Sequence, residues 1–203
     1  MISIIIPALN EPYLEELKFH IGINLKDWYE YEVLIQEEKG LTNAILQGVK
    51  RAKGDVIVVM DGDGSHSPNY LCPMIEQVLF KDYDIVVGSR YVKNGRSSDS
   101  FARRLISRIY CFTAQNVLNV SIKDNMSGFI VARKKLFDEL SIVKGNDYKF
   151  GLELIARNKH RVREYPILFD KRKMGKSKVN ILQGLRTMWL VLKIEVILIF
   201  SGI

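Results

Sequence analysis

Short unbroken apolar runs alternate along this chain with longer stretches whose apolar residues recur every three or four positions, and that alternation predicts strand–helix units. Residues 2–6 form the first run, a strand buried on both faces and stopped by Pro7. Asn10-Glu11-Pro12 then opens a helix, with Asn10 or Glu11 as its cap, and Leu14, Leu17, Ile21 and Leu25 mark its apolar face. A short strand is expected at 32–36, and a helix follows with Ile45, Leu46, Val49 and Ala52 on its inner side. Residues 56–60 make the most uniformly β-branched strand, followed by a helix over 69–80 with Pro73 in its first turn. Next come a strand at 84–87, a polar loop at 93–100 containing Asn94-Gly95 and expected to be mobile, and a long helix over 101–120. A strand near 130–132, short helices near 134–140 and 150–158, and an alternating edge strand at 161–169 complete the series. The sum is an α/β fold, a mostly parallel central sheet flanked by helices, with no repeat or linker that divides it.

Residues 184–203 break the pattern: they are mostly apolar but carry Arg186, Lys193, Glu195 and Ser201. Those charges argue against a free-standing membrane span. Met188, Trp189, Leu192, Val196, Ile199 and Phe200 fall on one helical side, so this C-terminal apolar helix either packs on the sheet or lies in a membrane interface, alone or completed by a membrane partner.

Composition narrows the partners. The 203 residues carry a net charge of +7, which favours phosphate-bearing ligands or an anionic membrane surface. Nucleic acid is the weaker reading, because no aromatic-rich RNA motif accompanies the basic residues. The two cysteines, Cys72 and Cys111, lack metal-ligand spacing and read as apolar residues of a reducing compartment, and no signal peptide is visible at the N-terminus.

The candidate chemistry sits where the 56–60 strand ends, in Asp61-Gly62-Asp63-Gly64. Side chains at i and i+2 of extended chain project to one side, so both carboxylates can face one point beyond the strand's carboxyl end. Two hard oxygen ligands suit Mg²⁺ or Mn²⁺ shared with a substrate's phosphates. A plain Asp-Gly turn is the bland alternative. An EF-hand loop is excluded, since its sixth and twelfth positions would be His66 and Cys72 rather than Gly and Glu.

Six motifs in order resemble the inverting family 2 of GT-A glycosyltransferases, nearest to dolichyl- or polyprenyl-phosphate mannose synthases. Pro7-Ala8-Leu9-Asn10-Glu11 is similar to the family's Pro-Thr-Tyr-Asn-Glu, and Asp61 to Pro68 to its Asp-Ala-Asp-Leu-Gln-His-Pro-Pro. Gly88-Ser89-Arg90-Tyr91 matches outright, as does Arg103 four residues before Ser107. Asp124-Asn125-Met126-Ser127-Gly128-Phe129 is similar to Asp-Pro-Met-Ser-Gly-Phe, and Phe169-x-x-Arg172-x-x-Gly175-x-Ser177-Lys178 matches the family's last loop.

The resemblance implies a Rossmann-like GT-A domain over 1–178 and a membrane-associated helix over 179–203. It implies transfer of a sugar, mannose from GDP-mannose, to dolichyl or polyprenyl phosphate at the cytoplasmic face of a membrane. The enzyme would be peripheral or anchored through its C-terminus, with a small transmembrane protein as a further partner. The alternative is a transferase using UDP-glucose or UDP-GlcNAc, or a sugar-hydroxyl acceptor. Pro7, Leu9, Glu11, Gly62, Asp61, Asp63, Arg172 and Lys178 would bind the nucleotide sugar, and Asp61, Asp63 and Ser65 the metal. Arg90, Arg103 and Ser107 would hold the acceptor phosphate, and Asp61, Asp63, Arg103, Arg172 and Lys178 would carry catalysis.

Departures are also legible. Leu9 stands where relatives have Tyr, and Ser65 where they have a Gln that helps hold the metal. The Asp-rich segment after the second strand is missing, leaving Glu37 or Glu38 as the carboxylate for base or ribose. An anionic acceptor needs no general base, whereas a hydroxyl acceptor would, with Glu153 as the late candidate. His66 reads as a structural neighbour of the acids.

Overall fold

A computed structural model of the chain describes residues 1–8, 11–38, 40–138, 150–157 and 161–173. Its frame is the β-branched run at the N-terminus, β1 (Ile2–Pro7), which pairs in parallel with β2 (Tyr31–Gln36) on one side and β3 (Val56–Val59) on the other. Beyond β3 the sheet continues through β4 (Ile85–Ser89), β6 (Ile130–Arg133) and β7 (Val162–Pro166), in the order β2-β1-β3-β6-β4-β7. Only β6 runs against its neighbours, antiparallel to both β3 and β4. The expected mostly parallel sheet is therefore observed, with one reversed strand inside it.

Alternate side chains of the central strands feed two cores. Ile4, Ile6, Val58 and Met60 pack under α1 (Leu14–Leu25) and α3 (Leu71–Phe80). Ile5, Ile57 and Val59 face α2 (Leu41–Arg51), α5 (Lys135–Asp138) and α6 (Phe150–Arg157). Each fully buried Ile or Val contributes about 1.5–3 kcal/mol, so a strand that is apolar at every position is held firmly from both sides. The remaining helix, α4 (Phe101–Leu118), buries only Cys111, Ala114 and Leu118.

Several boundaries differ from expectation for local reasons. Helix α1 starts at Leu14 without a side-chain cap, so Glu11 and Pro12 precede it rather than open it. The 69–80 helix begins as a 3-10 turn at Pro68–Tyr70, with the Ser67 hydroxyl accepting from Asn69 N–H. Asn119 takes a left-handed conformation and ends α4 two residues early. The expected single strand at 161–169 divides: β7 stops at Pro166, and β8 (Leu168–Phe169) pairs instead with β5 (Arg96–Ser97) in a separate two-stranded sheet. That pairing also ties down the loop expected to be mobile, through Arg96 N–H to Ile167 O and Ser98 N–H to Phe169 O, each 2.9 Å. The expected C-terminal helix lies outside the described residues, and among those described no helix is long and apolar enough to cross a membrane.

A small polar knot fastens the far edge of the sheet. The Ser3 hydroxyl donates to Glu32 at 2.6 Å, Lys53 N–H donates to the same oxygen at 2.6 Å, and Gly54 N–H donates to Ser3 at 2.8 Å. Burial alone raises the Glu32 carboxyl, but these hydrogen bonds outweigh it and hold the group below its ordinary value. A depressed carboxyl stabilises the fold above its unfolded pKa and loses that contribution as pH falls through the folded one. Glu32→Gln is therefore expected to lower the melting temperature at neutral pH and to flatten its decline below roughly pH 4. Parallel melting curves for the two proteins across that range would contradict the assignment.

Candidate functional site

Five strands, β1, β2, β3, β4 and β7, point the same way, and reversed β6 begins where they end. One edge of the sheet therefore collects Pro7, Gln36, Met60, Ser89 and the 128–129 turn. The chain passes from β1 to β2 on one side and then crosses back from β2 to β3 on the other side of β1, and such a switch point opens a crevice at the carboxyl edge. The acid turn lies at that crevice.

Within the turn the two acids have different surroundings. Asp63 is almost buried, at 5% side-chain exposure: one carboxylate oxygen accepts from Ser65 N–H at 2.9 Å, and the other lies 2.9 Å from Arg172 Nε. Asp61 is 39% exposed, and no described residue donates a hydrogen bond to its carboxylate. Its backbone N–H donates to His66 Nδ1 at 3.1 Å, which leaves the imidazole proton on Nε2. Burial pushes the His66 pKa down, against the pull of Asp61 and Asp63, so the ring is neutral. It stacks on Phe129 at 5.0 Å and meets Phe169 edge-on at 5.3 Å. His66 thus fixes the Asp61 backbone and offers no base.

The chain after β8 closes over this turn. His66 bridges Phe169, Asp170 N–H donates to Ser65 O at 3.0 Å, and Lys173 N–H donates to Asp63 O at 2.9 Å. Gly64, at φ 78°, permits the approach, since a Cβ there would lie 2.6 Å from Lys173 Cγ and 2.7 Å from Tyr13. On the other side of Asp61, a side chain at Gly128 would place its Cβ 3.6 Å from Asp61 Oδ1, so the missing side chain leaves room beside the carboxylate.

These residues fit a hard divalent cation. Besides the two carboxylates, the Ser65 hydroxyl oxygen is buried without a hydrogen-bond partner. An orphaned oxygen two residues from Asp63 is costly unless something takes its lone pairs. The donor set is all oxygen, as Mg²⁺ and Mn²⁺ prefer. It contains only two acids, and no described group of three or more Asp, Glu, His or Cys gathers anywhere.

Arg90, Arg103 and Ser107 are brought together less evenly. Arg90 Nε and Nη2 form a two-pronged pair with Asp124 at 2.8 and 2.7 Å, and Asp124 is fully buried. Burial opposes the charge on Arg90, but Asp124 outweighs it and raises the guanidinium pKa, so it stays protonated. Arg90 Nη2 also reaches Ser107 at 3.4 Å, and the guanidinium lies 5.1 and 5.3 Å from the Tyr91 and Phe169 rings. Arg103, one helical turn before Ser107, is half exposed and 3.8 Å from Asp99.

The other expected residues scatter along the edge. Pro7 closes β1, half-buried, and Glu11 is half-buried before α1. Gly62 is buried against Ile6, Ala8 and Leu14. Glu37 and Glu38 are exposed and line an open groove of about 610 Å³ with Leu14, Lys18 and Arg51. Glu153 is buried on α6. Leu9 and Lys178 lie outside the described residues.

Sequence reasoning missed the residues that hold others in place. Glu164 accepts from Ser89 Oγ at 2.7 Å and from Asp124 and Lys123 N–H at 3.0 Å, so it fixes the loop that presents Asp124. Its signal was a carboxylate inside an alternating strand. Asp124 itself stood in a matched motif, yet nothing local pairs it with Arg90.

Comparisons with known proteins agree with this geometry. Dolichol-phosphate mannosyltransferase of Pyrococcus furiosus is 32% identical over 96% of this chain and 64% of its own length. Polyprenol monophosphomannose synthase of Mycolicibacterium smegmatis is 34% identical over 70% of this chain and 56% of its own. The chain thus spans less than two thirds of either relative. Glucosyl-3-phosphoglycerate synthase from Mycobacterium tuberculosis, solved with Mn²⁺, UDP-glucose and phosphoglyceric acid, superposes with a TM-score of 0.67 at 14% identity, over 96% of this chain and 79% of that one. It shares the GT-A fold. Residues 23–141, more than half of the chain, match the glycosyl transferase family 2 domain and contain both acids, Arg90 and the Asp124 motif. The chain belongs to glycosyl transferase family 2.

Proposed function

We propose that the chain transfers mannose from GDP-mannose to the phosphate of a polyprenyl or dolichyl lipid, at the cytoplasmic face of a membrane. The reading is carried by the division of the crevice: two acids beside Arg172 on one side, and Arg90 with Ser107 on the other, next to exposed Arg103. Such a site serves two phosphate-bearing substrates at once. The names of the relatives support the choice of sugar and lipid.

In the reaction the bond from the anomeric carbon to the diphosphate oxygen breaks, and an acceptor phosphate oxygen attacks that carbon from the opposite face. Positive charge builds on the sugar and negative charge on the departing diphosphate. A divalent ion held by Asp61, Asp63 and Ser65 would supply charge neutralisation for that diphosphate, worth several kcal/mol. Arg172, adjacent to Asp63, takes a phosphate oxygen of the donor. Arg103 and Ser107 orient the acceptor, Arg103 by the planar fork that suits phosphate. The acceptor is already anionic, so the site's neutral His66 is no handicap. Glu37 or Glu38, in the groove beside β2, binds the nucleoside.

The test is transfer of radiolabel from GDP-mannose into an organic phase containing polyprenyl phosphate. Label in lipid, lost with EDTA and restored by Mg²⁺ or Mn²⁺, is the expected result. Label confined to water-soluble glycan, or supplied only by UDP-sugars, would overturn it.

A further inference from the structure

We propose that β2, the outermost strand of the sheet, pairs antiparallel with β2 of a second copy of this chain, joining the two sheets across a two-fold axis at Val33. The strand is open. Its neighbour on one side is β1, and on the other no strand follows among the described residues. Ile2 N–H donates to Glu30 O and Ala8 N–H to Gln36 O, so the even-numbered residues of β2 turn their backbone toward β1. Tyr31, Val33 and Ile35 therefore turn theirs outward. Of these outward groups, among the described residues only the Ile35 carbonyl has a partner, the side-chain amide of its neighbour Gln36 at 2.9 Å. Such a row of N–H and C=O groups is a template for another strand.

The usual protections of an edge are missing. β2 contains no proline, glycine or lysine, and its one charged side chain, Glu32, is drawn inward by the Ser3 hydroxyl and Lys53 N–H. The opposite edge strand, β7, carries Arg163 and Glu164 and ends in Pro166. Tyr31 to Ile35 are all half-buried, and Tyr31, Val33 and Ile35 lie against the core beneath α1 without being closed over by it. The groove lined by Leu14, Ile35 and Arg51 borders the same edge. Helices α1 and α2 pack on opposite faces of the sheet, so a groove that touches both passes round its rim.

Register and charge select a second copy as the occupant. With the two-fold axis at Val33, Tyr31 stands opposite the partner's Ile35 on the same face, an aromatic against a β-branched side chain. All three outward residues of each strand then exchange main-chain hydrogen bonds. Moving the axis to Glu32 sets the two Glu32 carboxylates against each other, and moving it to Leu34 leaves Tyr31 without a partner in the strand. Charges along the edge also separate. Glu15, Glu37 and Glu38 lie toward the end where β2 finishes, and Lys50, Arg51 and Lys53 toward the end where it starts. Lys18 and Glu30 are the minority charge at each end, and neighbouring Lys26 and Asp27 cancel. An antiparallel pair brings the acidic end of each copy to the basic end of the other, as an isologous contact requires. Pairing stops at Ile35, so Glu37 and Glu38 stay clear of it.

The experiment is sedimentation velocity of the full chain over about 1–100 µM, with melting temperature followed over the same range. The parent is expected to shift from monomer to dimer and to melt higher as concentration rises. Edge strands accept proline where the N–H faces solvent, so Val33→Pro is expected to keep the parent's circular dichroism and to associate at least about tenfold more weakly. Val33→Cys reads the register without weakening the strand. Hydrogen-bonded residues opposite one another in an antiparallel pair lie about 5.5 Å apart at Cα, within disulfide reach, so mild oxidation should link Val33→Cys into a reducible dimer. Leu34→Cys, whose side chain lies on the other face and opposite the partner's Glu32, should stay unlinked, as should the parent with Cys72 and Cys111. A parent that stays monomeric throughout would overturn the proposal, and slow hydrogen exchange at Tyr31 and Val33 in that monomer would hand the edge to the chain's own residues. A folded Val33→Pro that associates like the parent, or Leu34→Cys that links as readily as Val33→Cys, would also overturn it.

Discussion

Asp61→Asn is expected to reduce sugar transfer by at least about a hundredfold while leaving the melting temperature where it was. No described residue hydrogen-bonds its carboxylate, so the fold has little to lose when the charge goes. Asp63→Ala should lose transfer to the same degree and also melt earlier, because Asp63 accepts from Ser65 N–H and faces Arg172 at 2.9 Å. The expected loss is about 1–2 kcal/mol, kept small because Arg172 is partly solvated. The pair of variants separates two roles that a single substitution confounds: ligand of a cation, and latch for the loop that carries Arg172. Transfer by Asp61→Asn within a few-fold of the parent would remove the metal reading, and equal melting of the two variants would remove the latch.

The second large effect concerns Asp124. Its removal strands the Arg90 guanidinium, whose side chain is only 13% exposed, and also deprives Arg90 N–H of its acceptor. Breaking a buried pair from one side costs about 3–5 kcal/mol, so Asp124→Ala is expected to lower the melting temperature by roughly 10 °C. Replacing both partners with apolar side chains, Asp124→Leu with Arg90→Met, should recover much of that stability, since neither charge is then left alone. The double variant also assigns Arg90 its role. If Arg90 only braces the loop, transfer should return with stability; if it also touches the acceptor phosphate, a stable protein with a raised acceptor KM should result. A melting temperature unchanged by Asp124→Ala would show that the pair does not hold the edge.

The strands were legible because burial on both faces leaves an unmistakable run of Ile and Val. The acids were legible because two carboxylates around a glycine, at the end of such a run, have few other uses. Pairings between distant loops were not. Arg90 and Arg172 stand in motifs that announce phosphate binding, yet both already hold a carboxylate, and no local pattern joins Arg90 to a residue 34 positions later. The 93–100 loop reads as loose because Gly, Ser and Asn favour no structure of their own; its partner strand, β8, arrives some 70 residues further on. The break between β7 and β8 does have a local cause. Pro166 has no N–H to donate to the ladder, and the chain leaves the sheet there. Helix α4 leaves Phe101, Leu105, Ile106, Ile109 and Phe112 exposed, and that was equally invisible, since an amphipathic helix is normally assumed to turn its apolar side inward.

The reversed strand β6 has a consequence during synthesis. Val56–Val59, all four side chains apolar, pairs with β1 on one side but waits for Ile130–Arg133 on the other. Between those segments the ribosome must add about 70 residues, a delay of several seconds at ordinary elongation rates. Throughout that interval the nascent N-terminal half carries a greasy, unpaired backbone rim, open to any other growing chain with a matching segment. The same segment whose arrival seals that rim also brings Gly128 to Asp61, so the crevice and the protection against misassembly are completed together.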